Sequence, residues 1–489
     1  MERSIHDHKF LGANTALPYW QNDPESIRAH QEFLTDSVRV DIFGLREGGR
    51  LEGELNAPLR PKVPALEPGK SYLLETVIRT LTLGHHFTQG TTDSNEIWLQ
   101  LRITDANGQL IAESGTISAD GQVDPWAYFV NTFMLDREGN RISRRNAQDI
   151  FVPLYSHQIP PGAAQTIHYR LDVPENARAS LAVEARLFYR KFDQSYVDYI
   201  VKQHPADGPP LANWRVGQEV VNSLPITTLA SDRIKFAVSE NPESTSNHPA
   251  SEIPTWQRWN DFGIGSLLKG TAELRQAEAA FEQVEKLGRF DGPLNLARVY
   301  FREGRLDEAV AAVERSTRHD DPAAPPWTVA WLSGLINRQQ GHLDEAEVSF
   351  RSVLSPPNSE MRRRGFDFRK DYVVRNLLGQ TLFDRARRIR GAEKQSAREQ
   401  LLGAALDEFK KTLVLDPENA DAHYNLQLLY GASRNEEMES HHRKLHLKYK
   451  PDDNARDLAV AAARKKYPAA NQAAEAVVIY ELRPVSDTE

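Results

Sequence analysis

Apolar and polar positions alternate with a period of two over several stretches between Val38 and about Arg190, and recur with a helical period from Trp256 to about Lys466. Val38-Arg-Val-Asp-Ile-Phe43, Tyr72 to Leu83, Ile97 to Ile103, Thr166 to Val173 and Leu181 to Tyr189 each read as a half-buried strand. Glu67-Pro-Gly69, Asp105-Ala-Asn-Gly108, Asp136-Arg-Glu-Gly139 and Pro160-Pro-Gly162 are turn signals between them, and Asn107-Gly108 is a good hairpin turn. Short strands at near-regular spacing predict an antiparallel β-sandwich over residues 35–200. Residues 1–34 are irregular, with Pro18, Pro24 and a short helical stretch from Glu25 to Leu34. Residues 201–255 form a connector. Leu224 to Leu229 and Arg233 to Val238 could make one more strand pair there, and Asn241 to Pro249 is a breaker-rich linker. Residues 256–466 are a helical domain, and 467–489 a tail in which Ala476 to Tyr480 reads as a strand, docked on the sandwich or on a missing neighbour.

The helical half repeats. A small residue, an alanine twelve positions on and an apolar residue four further recur at Gly265, Ala277 and Phe281, at Ala297, Ala309 and Val313, and at Gly334, Ala346 and Phe350. A fourth unit has Gly379, Ala405, Phe409 and Pro417, and a degenerate fifth has Leu426, Tyr430 and Pro451. This is the signature of a tetratricopeptide repeat, in which small residues let two antiparallel helices approach and the large one fills the groove to the next pair. No pair buries its apolar face alone, so pairs stack into an α-superhelix that binds partners in its groove. Arg298, Trp331 and Arg338 fall on first helices of their units and are the predicted partner-binding residues. In the fourth unit the first spacing is 26 positions, so 14 residues are inserted. Shared equally, they lengthen each helix by close to two turns. The stretch from Met361 to Gln400 holds twelve Lys/Arg against five Asp/Glu, a solvated pair of long helices or a dock for an acidic partner.

Composition narrows the function more than it reveals it. With 489 residues, 40% hydrophobic and 26% charged, the chain is of globular type and long enough for about two to four domains. A net charge of −8 argues against a nucleic-acid partner. No run approaches the length of a membrane span. The first residues have no apolar core of a signal peptide, so the chain as given would stay in the cytoplasm. Cysteine is absent, which excludes disulfides, thiolate metal sites, a cysteine nucleophile and covalent haem attachment within the chain.

Catalytic motifs are not legible. Gly263-Ile-Gly265-Ser-Leu-Leu-Lys-Gly270 lacks the spacing of a phosphate loop. Asp93, Glu96 and Asp124 could bind calcium or serve acid–base chemistry, although carboxylates before strands are commonplace. Among the histidines, His6 and His8 lie in the irregular start, His85 and His86 follow a strand, and His157 precedes a turn. His441, His442 and His446 share the last repeat, with 442 and 446 on one helical face. Each could ligate a metal or be simply solvated or hydrogen-bonded.

The segments His6-Asp-His-Lys-Phe-Leu-Gly-Ala-Asn-Thr-Ala-Leu-Pro18, Gly84-His-His-Phe-Thr-Gln-Gly90 and Ser94-Asn-Glu-Ile-Trp-Leu99 go together with Leu187 to Phe192, Trp259 to Gly263, Lys448 to Asn454 and Ala474 to Tyr480. Together they resemble the non-haem portion of a bacterial family of multihaem c-type cytochromes that carry tetratricopeptide repeats. Members of that family have Cys-x-x-Cys-His haem sites and are exported; this chain has neither the cysteines nor a signal. The resemblance implies a periplasmic, non-catalytic scaffold of an electron-transfer system. Haem c would sit on a missing or partner module, with His8, then His6, His86 and His157, as possible distal ligands. A general tetratricopeptide adaptor without a redox role is the alternative. A hydrolase or carbohydrate-binding sandwich acting through Asp93 or Glu96 is a third reading.

Overall fold

The computed structural model describes residues 11–88, 92, 94–203, 220–241 and 244–484. The chain divides into two compact units, Met1–Ala280 with Asp453–Glu489, and Phe281–Asp452. Strands and many helices are both present, as the two periodicities predict.

The first unit holds the strands: β1 (Val38–Glu47), β2 (Leu55–Asn56), β3 (Lys62–Pro64), β4 (Ser71–Thr80), β5 (Glu96–Thr104), β6 (Leu110–Ser114), β7 (Tyr128–Phe129), β8 (Thr132–Leu135), β9 (Val152–Ser156), β10 (Ala164–Asp172), β11 (Ser180–Arg190), β12 (Ile226–Ala237), β13 (Thr245–Asn247), β14 (Ile479–Glu481) and β15 (Arg483–Pro484). One sheet has the order β14-β10-β4-β1-β2, and a second has β12-β11-β5-β6-β15 with β7 on β5. Alternate residues of both sheets meet in one core. Ile42, Leu74, Ile78 and Ile167 come from the first, and Leu99, Leu101, Val183, Leu187 and Phe236 from the second. Burying each such side chain contributes roughly 1.5–3 kcal/mol.

Two features depart from the sequence expectation, and a third decides between two alternatives it left open. The strands pair antiparallel except β14, which joins β10 in parallel register, His168 opposite Ile479. The two short strands expected between Leu224 and Val238 are one strand, β12, paired along β11 with an irregularity between Leu187 and Phe188 that passes over Leu229. The last apolar run docks on the first sheet as β14, so the C-terminal segment belongs to this unit.

The outer face of the first sheet is also apolar, because Phe43 and Val77 point away from the core, and helix α4 (Thr255–Leu268) covers it. The first unit's helices are α1 (Ala16–Trp20), α2 (Pro24–Leu34), α3 (Gln194–Gln203) and α4 (Thr255–Leu268), with α15 (Asp453–Lys466) and α16 (Pro468–Ala473) from the C-terminal segment. Phe262 stacks on Phe43 with centroids 4.7 Å apart. Gly265 allows the approach: a Cβ there would lie 2.2 Å from Thr166 Oγ1 on β10. The small residue at 265 therefore serves a helix-on-sheet contact, where the repeat spacing assigned it to a helix pair. Arg258 on α4 reaches both carboxylate oxygens of Asp41 at 2.8 Å, and both residues are buried.

The second unit is a run of helical hairpins. Beyond α5 (Leu274–Lys286), these are α6 (Asp291–Glu303) with α7 (Leu306–Ser316), α8 (Pro326–Gln340) with α9 (Leu343–Val353), α11 (Tyr372–Arg388) with α12 (Gln395–Leu415), and α13 (Ala420–Ala432) with α14 (Glu436–Tyr449); α10 (Ser359–Arg363) is a single turn between pairs. Gly304 and Gly341 end α6 and α8 at φ of 76° and 85°, the left-handed cap that glycine takes without strain. Ala309, Ala346, Phe350, Ala405 and Phe409 are fully buried. A Cβ on Gly334 would lie 2.6 Å from the Phe350 ring, and one on Gly379 would lie 2.8 Å from Phe409.

The insertion is not shared equally. Helix α12 has 21 residues against 11 in α9, while α11 has 17 against 15 in α8. Gly391, at φ 97°, lies in the turn after α11, and the extra length goes into α12, whose residues 395–400 are exposed.

Candidate functional site

A concavity of about 590 Å³ in the first unit lies where the start of β5, the 122–129 loop, β8, β9, the start of α3 and the α15–α16 turn meet. Glu96 is the first residue of β5 and stands opposite Arg190, the last of β11, so sheet register makes them a buried pair. Arg190 donates to Glu96 Oε2 from Nε at 2.7 Å and to the carbonyls of Gly121 and Asn222 at 2.8 and 3.2 Å. Burial, with the Asp193 charge added, pushes the Glu96 carboxyl up to about 7 against the pull of Arg190. Asp193 caps α3, accepting from Tyr196 N at 2.9 Å, and takes a second bond from Arg141 at 2.8 Å. The Arg141 guanidinium lies 5.3 Å from the Phe133 ring centre. Phe133, Tyr155 and Tyr467 form one aromatic wall, with Phe133 5.8 Å from Tyr155 and 5.2 Å from Tyr467. Burial raises the Tyr155 phenol to about 12, against the Arg141 charge and a hydrogen bond from the Asn131 side chain. Asn131 lines the same cavity, and its Oδ1 is buried without a hydrogen-bond partner among the described residues.

Of the carboxylates singled out in the sequence, Glu96 lies in this cavity, Asp93 lies outside the described residues, and Asp124 accepts from Trp126 N and faces Arg483 at 3.3 Å. Arg190, Asp193 and Arg141 escaped the sequence reading, because only strand register and tertiary contacts bring them to Glu96.

The histidines scatter. His6 and His8 lie outside the described residues. His86 is exposed, and its carbonyl is 2.8 Å from His85 Nδ1. The segments of His86 and His157 run side by side through the Phe87–Ile159 bridge, with one imidazole outside and the other inside. His157 stacks on Tyr128, its Nδ1 3.2 Å from Phe129 O and its Nε2 3.1 Å from Ala473 O. Burial, with Lys269 adding to it, lowers its pKa to about 3, so the ring is neutral. Both nitrogens of His157, expected as a possible distal ligand, face backbone carbonyls in the interior.

A buried histidine that the sequence reading passed over is His168. Its Nδ1 is 2.5 Å from Glu75 Oε2 and its Nε2 2.8 Å from Glu273 Oε1. Despite burial, the two carboxylates raise it to about 9. In the last hairpin, His442 is buried with its Nδ1 2.9 Å from that of His423, and burial lowers it to about 4. Among the described residues no cluster of His, Asp and Glu is gathered to hold a metal, and no helix is long and apolar enough to cross a membrane.

In the second unit, Arg298 on α6 is half-buried, bonded to Asn295 Oδ1, and its pKa is lowered by burial and by Arg302 beside it. Trp331 and Arg338 lie seven residues apart on α8. Trp331 is half-buried with its ring 6.0 Å from Phe350, and Arg338 reaches Asp384 at 3.4 Å. The basic insertion spends part of its charge inside the unit, with Arg375 on Glu408 and Arg385 on Asp344 and Glu347. Arg390, Lys394 and Arg398 remain exposed at its end.

The helical unit is tetratricopeptide-like. Its own geometry carries that statement: successive hairpins with glycine or alanine beneath a fully buried apolar side chain. No protein-family profile matches the chain, and no curated protein matches it. Among solved structures, a mutant of MamA is similar at 23% identity and TM-score 0.29 over 40% of this chain and 97% of its own. YrrB, described as a TPR protein with an unusual peptide-binding site, is similar at 20% identity and TM-score 0.30 over 42% of this chain and 91% of its own. A penta-heme cytochrome c552 from Thermochromatium tepidum is similar at 18% identity and TM-score 0.27 over 42% of this chain and 41% of its own.

Proposed function

We propose that the chain is a non-catalytic scaffold, a β-sandwich joined to a tetratricopeptide superhelix that holds a protein partner on its first helices. The observation that carries this reading is the repeated Gly334–Phe350 and Gly379–Phe409 docking, which closes each hairpin, with Arg298, Trp331 and Arg338 half-buried on first helices. Arg298 is desolvated beside a like charge, which favours an acidic partner segment. A displayed random-peptide library selected on the full chain tests it. Acidic peptides should be enriched, and their binding should fall about tenfold or more in Arg298→Glu and Trp331→Ala. No enrichment, or enrichment indifferent to both substitutions, refutes the groove.

The finer reading places the partner in a periplasmic multihaem electron-transfer system, with His8, His6 or His86 approaching a haem on that partner. It rests on the sequence segments that resemble the multihaem family. A soluble haem c peptide with one open axial position, titrated with the full chain, should take on a low-spin spectrum that His8→Ala, His6→Ala or His86→Ala abolishes. An unchanged spectrum leaves the general adaptor without a redox role.

A further inference from the structure

The cavity beside Glu96 is unused by the scaffold reading, and its lining carries an excess of positive charge. Arg141 and Lys466 both line it. Among the described residues Arg141 spends only Nη2, on Asp193, and its side chain is 30% exposed, so Nε and Nη1 are left to donate. Lys466 is exposed and donates to Asn140 Oδ1, with no ion pair among the described residues. The Asp136 carboxylate in its neighbourhood is taken up by the backbone amides of Glu138 and Asn140. The two cations flank one ring pair. The Arg141 guanidinium is 5.3 Å from the Phe133 ring centre, Lys466 Nζ is 5.9 Å from that of Tyr467, and the two rings are 5.2 Å apart. Against them stand Asp193 and Glu96, and Glu96, near 7, is only about half ionised at neutral pH, with the buried Arg190 on its carboxyl. Three cations thus meet one full and one partial negative charge. A cation is repelled by this excess, and a dianion such as a phosphate monoester would bring its second charge against Asp193. One carboxylate fits it. Apolar surface is available for the rest of such a ligand: Trp126 is 42% exposed, and Tyr155 and Tyr467 are half-buried along the same lining. The volume of about 590 Å³ falls in the range of small-molecule sites, roughly 300–1,000 Å³.

We propose that this cavity binds a small organic monocarboxylate with a flat apolar body, its carboxylate held by Arg141 and Lys466 and its body on the rings of Tyr155, Tyr467 and Trp126. Calorimetry and saturation-transfer NMR of the full chain with benzoate, 4-hydroxybenzoate, phenylacetate and indole-3-acetate, each beside its neutral amide, test the proposal. At least one acid should bind, and more weakly as salt rises. It should bind at least about tenfold more tightly than its amide, the scale of one charge-assisted hydrogen bond. Lys466→Gln, on an exposed side chain whose loss leaves the fold intact, should weaken binding about three- to tenfold and flatten its salt dependence. Lys466→Arg should restore both. Arg141→Lys keeps a charge for Asp193 but loses the donors left over, and it should weaken binding to a similar degree. It is read only where its thermal transition matches the wild type; Lys466→Gln decides otherwise. Four results overturn the proposal: no acid binds; an acid and its amide bind alike; Lys466→Gln keeps the wild-type affinity; or phenyl phosphate or benzylamine binds more tightly than every acid.

Discussion

Replacing Gly334 by alanine probes the hairpin docking directly. In an exposed helix interior the substitution gains about 1 kcal/mol, because alanine loses less backbone entropy. At Gly334 the new Cβ would lie 2.6, 2.8 and 3.1 Å from three atoms of the Phe350 ring. Carbon atoms in contact prefer about 3.5–4.0 Å. The ring is fully buried, so it must swing or the helices must part. Overpacking of this kind costs about 1–3 kcal/mol, so the expected net effect is a loss of about 1 kcal/mol. Gly379→Ala should behave likewise, the Phe409 ring standing at 2.8 to 3.0 Å. Gly403→Ala is the control within the same unit: nothing lies within 4 Å of its Cβ position on α12, so the helix gain of about 1 kcal/mol should appear undiminished. Urea unfolding of the full chain, followed by far-ultraviolet circular dichroism and tryptophan fluorescence, reads the three shifts. A Gly334→Ala midpoint at or above wild type, with Gly403→Ala raised as expected, would falsify the glycine–phenylalanine docking.

Arg258→Ala should destabilise the first unit by about 3 kcal/mol, since it removes the bidentate partner of the buried Asp41 carboxylate and leaves Arg60 at 3.9 Å, and Arg258→Lys should recover part of it; thermal unfolding checks both. The Glu96 carboxyl sits at about 7, above its ordinary 4.5, so the stability it contributes is full below pH 4.5 and is lost as pH rises through 7. Glu96→Gln should flatten that part of the stability–pH profile, and a profile with the same slope in the variant would refute the assignment. His442 titrates near 4 against an ordinary 6.5, which reverses the sign: its contribution is present above pH 6.5 and is lost as pH falls toward 4. Amide exchange over residues 420–449, corrected for intrinsic rate, should accelerate across that window in the wild type and not in His442→Gln.

Local patterns were legible in the sequence where a residue's partner is set by spacing. The alternation at Thr166 to Val173 and Leu181 to Tyr189 corresponds to β10 and β11, and the spacing of twelve and four finds Gly334 beneath Phe350. It failed where the partner is distant in the chain. Gly265 satisfies the repeat spacing, yet the atoms that require a glycine there belong to Thr166, on a strand a hundred residues earlier. The parallel pairing of β14 with β10 joins residues about three hundred apart, and no local signal distinguishes that edge from a missing neighbour. The partition of the inserted residues between α11 and α12 depends on where the turn falls. Spacing counts the extra residues but not the position of Gly391 between them.

The cavity shows the same limit in chemical form. Glu96 alone, read from sequence, is one carboxylate before a strand, compatible with calcium, acid catalysis or nothing. Register places Arg190 opposite it, and the cap of α3 places Asp193 beside Arg141, and these two pairings change what the site can accept. An unpaired Glu96 would attract cations. Paired as it is, its charge is matched at the cavity wall, and its burial shifts the carboxyl toward neutrality rather than toward metal affinity. What Glu96 presents to the cavity therefore follows from the groups that surround it, which is a property of strand register and helix capping and cannot be read from the carboxylate itself.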